Sequence, residues 1–309
     1  MFKSYFRGAE RDALKNYFRL PSSAQTAIRA RGALDDLNLT AKPVAAYALR
    51  RLFGEYVGPQ VRVRRSSDNV EADVFFDDKG VIELVQDNTE SLVVDLETWL
   101  GGATAVVRTW YDQSTNNFPA TLQTGTGAIL ERDVELEYKL RFATDGYQIQ
   151  GPGTQTDITD FGGHDLEQAH TLIGTCTFPD DDSDTEVLIW LDGVTLFRNS
   201  NGDFAAGWAY ESGLSTLSLP SSQKVSLMRS WKNQQSIKSE IYDPQSKGFI
   251  GSETIDHSSS LRQTDGFGSW IGRVDPERQT QHFFGDVYNL IVFSEFDVPS
   301  PEVYDALNH

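Results

Sequence analysis

Apolar and polar residues alternate in short runs along most of the chain. Val61-Arg62-Val63-Arg64 is the plainest case, an alternation that fits a strand with one wet face. Residues 73–76, 105–111, 171–178, 187–191, 224–231, 236–242 and 268–271 read as further strands. The last is 284–293, where apolar positions recur on a two-residue period and then run together. Gly, Asn, Asp and Ser cluster between these runs, as at Ser66-Ser67-Asp68-Asn69, where side chains bond their own backbone and turn it. Strands at this spacing, without a helix between consecutive ones, predict a sandwich or jelly roll rather than a parallel α/β sheet.

Helical periods are confined to short pieces. Lys3, Arg7, Arg11, Lys15 and Arg19 recur at every fourth position, with Phe2, Tyr5, Phe6, Leu14, Tyr17 and Phe18 at mixed spacings of three and four. Pro21 ends that segment. Val44, Tyr47, Ala48, Leu49, Leu52 and Phe53 fall near a 3.6 period and predict a second helix, closed by Gly54 and Gly58-Pro59. Residues 92–100, ending at Gly101-Gly102, and 301–307 predict two short helices. The expected organisation is a basic, partly helical arm over 1–43 and a sandwich over 44–309.

Composition sharpens this picture. Aromatic residues make up 11% of the 309, which favours many short strands. The formal charge of −18 argues against a nucleic-acid binder. Residues 1–31 hold seven cations against two acids, a local +5 that leaves −23 for the rest, as a docking arm would. The single cysteine, Cys176, excludes an intrachain disulfide, so packing must hold the fold. No apolar run reaches the roughly 18 residues of a membrane span. The opening residues Met1 to Arg7 lack a signal-peptide core, so synthesis in a cytoplasm is expected.

In order along the chain stand Ala45-Tyr47-Leu49-Leu52 with its arginines, Gly58-Pro59, Val61 to Asn69 with Glu71 and Asp73, and Thr109-Trp110-Tyr111-Asp112-Gln113-Ser114. This order resembles a module of phage and large-DNA-virus virion proteins. It is also similar to the opening of the catalytic domain of the arabinofuranosidase B family. The resemblance spans about Ala45 to Phe142 and departs at Thr115-Asn116, where that family usually has Gly-Asn. Beyond it, Leu140-Arg141-Phe142-Ala143-Thr144-Asp145-Gly146-Tyr147 is similar to a signature of laminin-G and concanavalin-like lectin domains. The resemblance implies a mainly β, concanavalin-like jelly-roll β-sandwich with a short helical N-terminal arm.

The function expected from this is a non-enzymatic virion structural protein, on a capsid, tail or fibre. It would assemble through Lys3, Arg7, Arg11, Lys15 and Arg19 with other virion proteins and copies of itself, and bind host surface glycans. The alternatives are an arabinofuranosidase-like glycoside hydrolase and a free carbohydrate-binding module. The hydrolase would need two positioned carboxylates, and the resemblance puts the nucleophile's region near Asp192, although Asp192-Gly193 reads equally as a hairpin turn. The adjacent cysteine pair associated with that family's sugar site is absent.

Arg62, Arg64, Asp68, Trp110, Asp112 and Gln113 are expected to tie strands and turns together, because arginine forks pair with carboxylates; the alternative for the arginines is a recognition surface. Trp208, Tyr210 and Trp231 are expected in the sandwich core, with a sugar platform as the alternative. Asp180, Asp182 and Asp184 read as a solvated acidic loop between two strands, with calcium binding through their oxygens as the alternative; no other cofactor is expected.

Overall fold

The computed structural model describes residues 31–37, 39, 42–77, 82–87, 93–124, 126–133, 137–142, 146–149, 169–179, 186–191, 194–199, 201–205, 217–220, 222–232, 236–256, 269–272, 283–296, 298 and 300–308. The chain is mainly β, as its alternation predicts. The first strands are β1 (Ala45–Ala48), β2 (Val61–Arg65), β3 (Glu71–Phe76), β4 (Ile82–Asp87) and β5 (Val93–Asp95), followed by helix α1 (Leu96–Leu100). Then come β6 (Ala105–Trp110), β7 (Ala120–Thr124), β8 (Ile129–Arg132), β9 (Tyr138–Phe142) and β10 (Gly146–Ile149). The later half holds β11 (Ala169–Thr177), β12 (Glu186–Leu191), β13 (Val194–Arg198), β14 (Asp203–Ala205), β15 (Leu217–Ser218) and β16 (Lys224–Lys232). It closes with β17 (Ser236–Asp243), β18 (Gly248–Asp256), β19 (Ser269–Ile271), β20 (Gly285–Phe293) and helix α2 (Ser300–Leu307).

All pairings are antiparallel, and they trace two layers. One runs β18-β17-β16-β11-β20; the outer edge of β20 is shared by β9, opposite residues 285–287, and β1, opposite residues 289–292. The other runs β5-β4-β3-β2-β6-β7-β10-β19-β12-β13-β14-β15. Strand β8 joins the layers by pairing with both β6 and β9. At Gly174 of β11 a Cβ would stand 2.8 Å from Leu188 of the other layer and 2.9 Å from Leu290 of the neighbouring strand, so the position admits no side chain without a shift.

Strands β11, β16 and β20 of the first layer are buried on both faces. Leu172, Cys176, Val225, Leu227 and Leu290 face the main core between the layers. Ile173, Met228, Ile291 and Phe293 face a second core, capped by Val303, Tyr304 and Leu307 of α2 and by Leu34 and Leu52. Accordingly seven consecutive residues are buried in each of β11 and β16, and the last five in β20. Strands β2, β3 and β6 keep one face at the surface, and their alternation is correspondingly clean.

The helix expected over 44–53 is instead strand β1. Ala45 and Tyr47 enter the main core, whereas Ala46 and Ala48 enter the second. With both faces apolar, no polar position reveals the two-residue period, and pairing with β20 overrides the helix preference of alanine. The helix expected from residue 92 begins later. Asp95 caps α1 by accepting from the Thr98 amide, and Gly101 ends it with φ 59°.

Candidate functional site

The Asp112-Gln113-Ser114 turn after β6 is a buried clasp. The Asp112 carboxylate accepts from the amides of Ala46 (2.7 Å), Ser114 (2.8 Å) and Phe118 (2.9 Å) and from the Ser114 hydroxyl (2.6 Å). Gln113 accepts from the Leu52 amide at 2.9 Å and donates to the carbonyls of Ala48 and Arg50. The Ser114 hydroxyl and Asn116 both reach the Val44 carbonyl. The turn thus fastens the two ends of the 44–52 segment to β6. Burial pushes the Asp112 carboxyl above its usual range, against the pull of these donors. Trp110 lies wholly buried beside it, its ring 5.7 Å from that of Tyr47.

Against this clasp opens a pocket of about 250 Å³, lined by Lys42, Pro43, Phe53, Glu55, Tyr56, Gln113, Ser114 and Thr115. Pro43, Phe53 and Tyr56 are its apolar wall, and Lys42 pairs with Glu55 at 3.0 Å on the rim. Among the described lining residues Glu55 is the single carboxylate. Tyr56 donates to the Pro59 carbonyl, and burial, with Asp112, Tyr111 and Asp73 nearby, raises its phenol well above the ordinary value.

Beyond Tyr56 lies the open face of β2, β3 and β6. Arg62 forks onto Asp73, Nε to Oδ1 at 2.9 Å and Nη2 to Oδ2 at 2.8 Å. The Tyr111 hydroxyl donates to the same Oδ1 at 3.0 Å, and burial and Asp73 push that phenol up to about 12. Arg64 stands opposite Glu71, yet Glu71 approaches Arg108, at 3.6 Å. The register of β2 on β6 slips between Arg62 and Val63, so Arg108 is the extra residue of a bulge. The expected grouping of Arg62, Arg64 and Asp68 is therefore divided. Asp68 belongs to Arg65 at the far end of β2 (Oδ2 to Nη2, 2.6 Å), which holds its carboxyl below the usual range.

A second buried polar centre joins β12 to β13. Glu186 and Arg198 pair at 2.9 Å with side chains 3% and 2% exposed, and Arg198 also donates to the Pro179 carbonyl and lies over the Phe178 ring. The two are twelve residues apart in sequence and face each other only through the hairpin register. Cys176 is buried in the same core and its thiol is pushed far up by desolvation, which leaves it unreactive.

Trp231 is not a sugar platform. It has no exposed surface, stacks on His170 at 5.5 Å between ring centres, and sits in the main core because its strand is covered on both faces. The other sugar candidates, Trp208 and Tyr210, lie outside the described residues, as do Asp180, Asp182 and Asp184, the arm cations Lys3, Arg7, Arg11, Lys15 and Arg19, and Asp192. Among the described residues no cluster of three metal-ligating side chains occurs.

No family model matches the chain, and no curated protein does. Solved structures do. An arabinofuranosidase complexed with arabinofuranosyl-α-1,2-xylobiose superposes with a TM-score of 0.60 at 15% identity, over 90% of this chain and 64% of that one. A GH54 α-L-arabinofuranosidase soaked with a cyclic sulfate inhibitor gives 0.58 at 13% identity, over 86% and 62%. A mutant of a GH54 α-L-arabinofuranosidase soaked with 4-nitrophenyl α-L-arabinofuranoside gives 0.58 at 14% identity, again over 86% and 62%. At such identities the shared feature is the fold, and the chain spans less than two thirds of each neighbour. The expectation of a protein without catalysis is corrected by these matches, because the sandwich is one that glycoside hydrolases use.

Proposed function

We propose that the chain is a carbohydrate-active sandwich of the arabinofuranosidase kind, which hydrolyses terminal arabinofuranosyl linkages. The observation that carries this is the superposition of 90% of the chain on an arabinofuranosidase complexed with an arabinofuranosyl xylobiose. The clasp adds support, since Asp112, Gln113 and Ser114 belong to the stretch that resembles the opening of that catalytic domain. Hydrolysis with retention needs a nucleophile and an acid about 5–5.5 Å apart. The resemblance points to Asp192 for the first of these roles. The pocket beside Tyr56 is suited to hold a neighbouring sugar, its apolar wall against a ring face and the Lys42–Glu55 pair against hydroxyls.

The test uses 4-nitrophenyl α-L-arabinofuranoside. The wild-type chain is expected to release nitrophenol, and Asp192→Asn to lower the rate by about a thousandfold or more, as loss of a covalent nucleophile does. Release by wild type that Asp192→Asn leaves unchanged would remove Asp192 from the mechanism. No release by wild type would count against the hydrolase reading itself.

A further inference from the structure

The open face of β2, β3 and β6 has features that fold stability does not require. In a chain of charge −18 it gathers three arginines, Arg62, Arg64 and Arg108, against two carboxylates, Glu71 and Asp73. Asp73 is fully engaged by Arg62 and Tyr111, and it takes the Nε–Nη2 edge of Arg62, which directs the remaining edge outward. Glu71 meets Arg108 only at 3.6 Å, beyond a good hydrogen bond. Arg64 has no ion pair among the described residues, although Glu71 stands directly across from it on β3. Arg108 is the unpaired residue of the bulge on β6, an irregularity over-represented next to functional sites. Side chains of Arg62 and Arg108 are 36% and 32% exposed, so their stems are packed while their heads reach solvent.

From this juxtaposition of Arg62, Arg64 and Arg108 beside Tyr111 we infer that the face binds an anionic saccharide, a sugar bearing a carboxylate or sulfate group. Guanidinium forks mounted on rigid strands match the two oxygens of such a group and lose little freedom on binding it. The rings of Tyr111 and Phe75, both partly exposed, offer the apolar surface against which a sugar face packs. The saccharide nature of the ligand rests on the carbohydrate reading above; the anionic group rests on the arginines alone.

The experiment measures retention of the full chain by affinity electrophoresis in gels containing sodium polygalacturonate, dextran sulfate, neutral arabinan or poly-L-glutamate. Retention by polygalacturonate identifies a carboxylate sugar and retention by dextran sulfate a sulfated one. Either should weaken as salt is added. The Arg64→Gln/Arg108→Gln double variant should lose about tenfold in affinity, the effect of removing charge-assisted hydrogen bonds. Arg64→Lys, which keeps the charge and loses the fork, should fall between, and Arg141→Gln on β9 should match wild type. No retention by either acidic polysaccharide, equal retention by poly-L-glutamate, or an unchanged double variant would each overturn the inference. Nitrophenol release by the same wild-type preparation is scored separately. Release without retention rejects this site alone, and retention without release rejects the hydrolase reading alone.

Discussion

Asp112→Ala is expected to destabilise the fold by about 3–9 kcal/mol, because three amides lose their acceptor and each such loss costs about 1–3 kcal/mol. Those amides belong to Ala46, Ser114 and Phe118, and the carboxylate that serves them is buried. A domain holds only about 5–15 kcal/mol in reserve, and for a chain of this length the melting temperature should drop by roughly 5–15 °C. Asp112→Asn keeps the shape and part of the acceptor capacity, so its cost should be smaller. Its dependence on pH has a definite sign. The folded-state pKa of Asp112 is raised, so the linked stability is fully present below the ordinary aspartate value and is lost as pH rises through the folded one. The amide does not titrate, and the gap between wild type and Asp112→Asn should therefore be wider at acidic pH than at neutral pH. Thermal melts of both at two pH values test this, and a gap that widens towards neutral pH would contradict it.

Arg198→Met is the second large effect, expected at about 3–5 kcal/mol, the cost of stranding one member of a buried pair. Glu186 would be left in the core between β12 and β13 with its main counter-charge gone. The Glu186→Leu/Arg198→Met double variant removes both charges and should recover most of that loss, since well-packed apolar replacements of buried pairs are often neutral or better. Urea midpoints for the two single variants and the double variant close the cycle. If the double variant is as unstable as the sum of the singles, the two residues are not coupled, and the buried pair is not what holds this hairpin.

Much of the architecture is legible in the chain. Strand β2 declares itself because one face is wet, and β6 by its β-branched and aromatic residues. Strand β20 does so by its apolar positions, whereas β11 and β16 bury His, Thr, Ser and Arg side chains along with their apolar ones. Strand β1 is misread for the complementary reason: four buried residues divided between two cores leave no polar mark of their period. The turn chemistry of Asp112, Gln113 and Ser114 is visible, but their partners in the 44–52 segment lie 61–70 residues away, beyond any local pattern. The bulge at Arg108 is hidden inside what reads as an ordinary strand, and so is the pairing of Glu186 with Arg198. Trp231 is in the core, the reading its aromatic bulk favours over a sugar platform.

The central claim is that this sandwich cleaves arabinofuranosides. The most direct measurement is the product analysis of wild-type chain incubated with arabinofuranosyl-α-1,2-xylobiose. Free arabinose and xylobiose, accumulating in equal amounts and in proportion to protein, are the expected result. Intact trisaccharide after prolonged incubation with folded protein would contradict the claim.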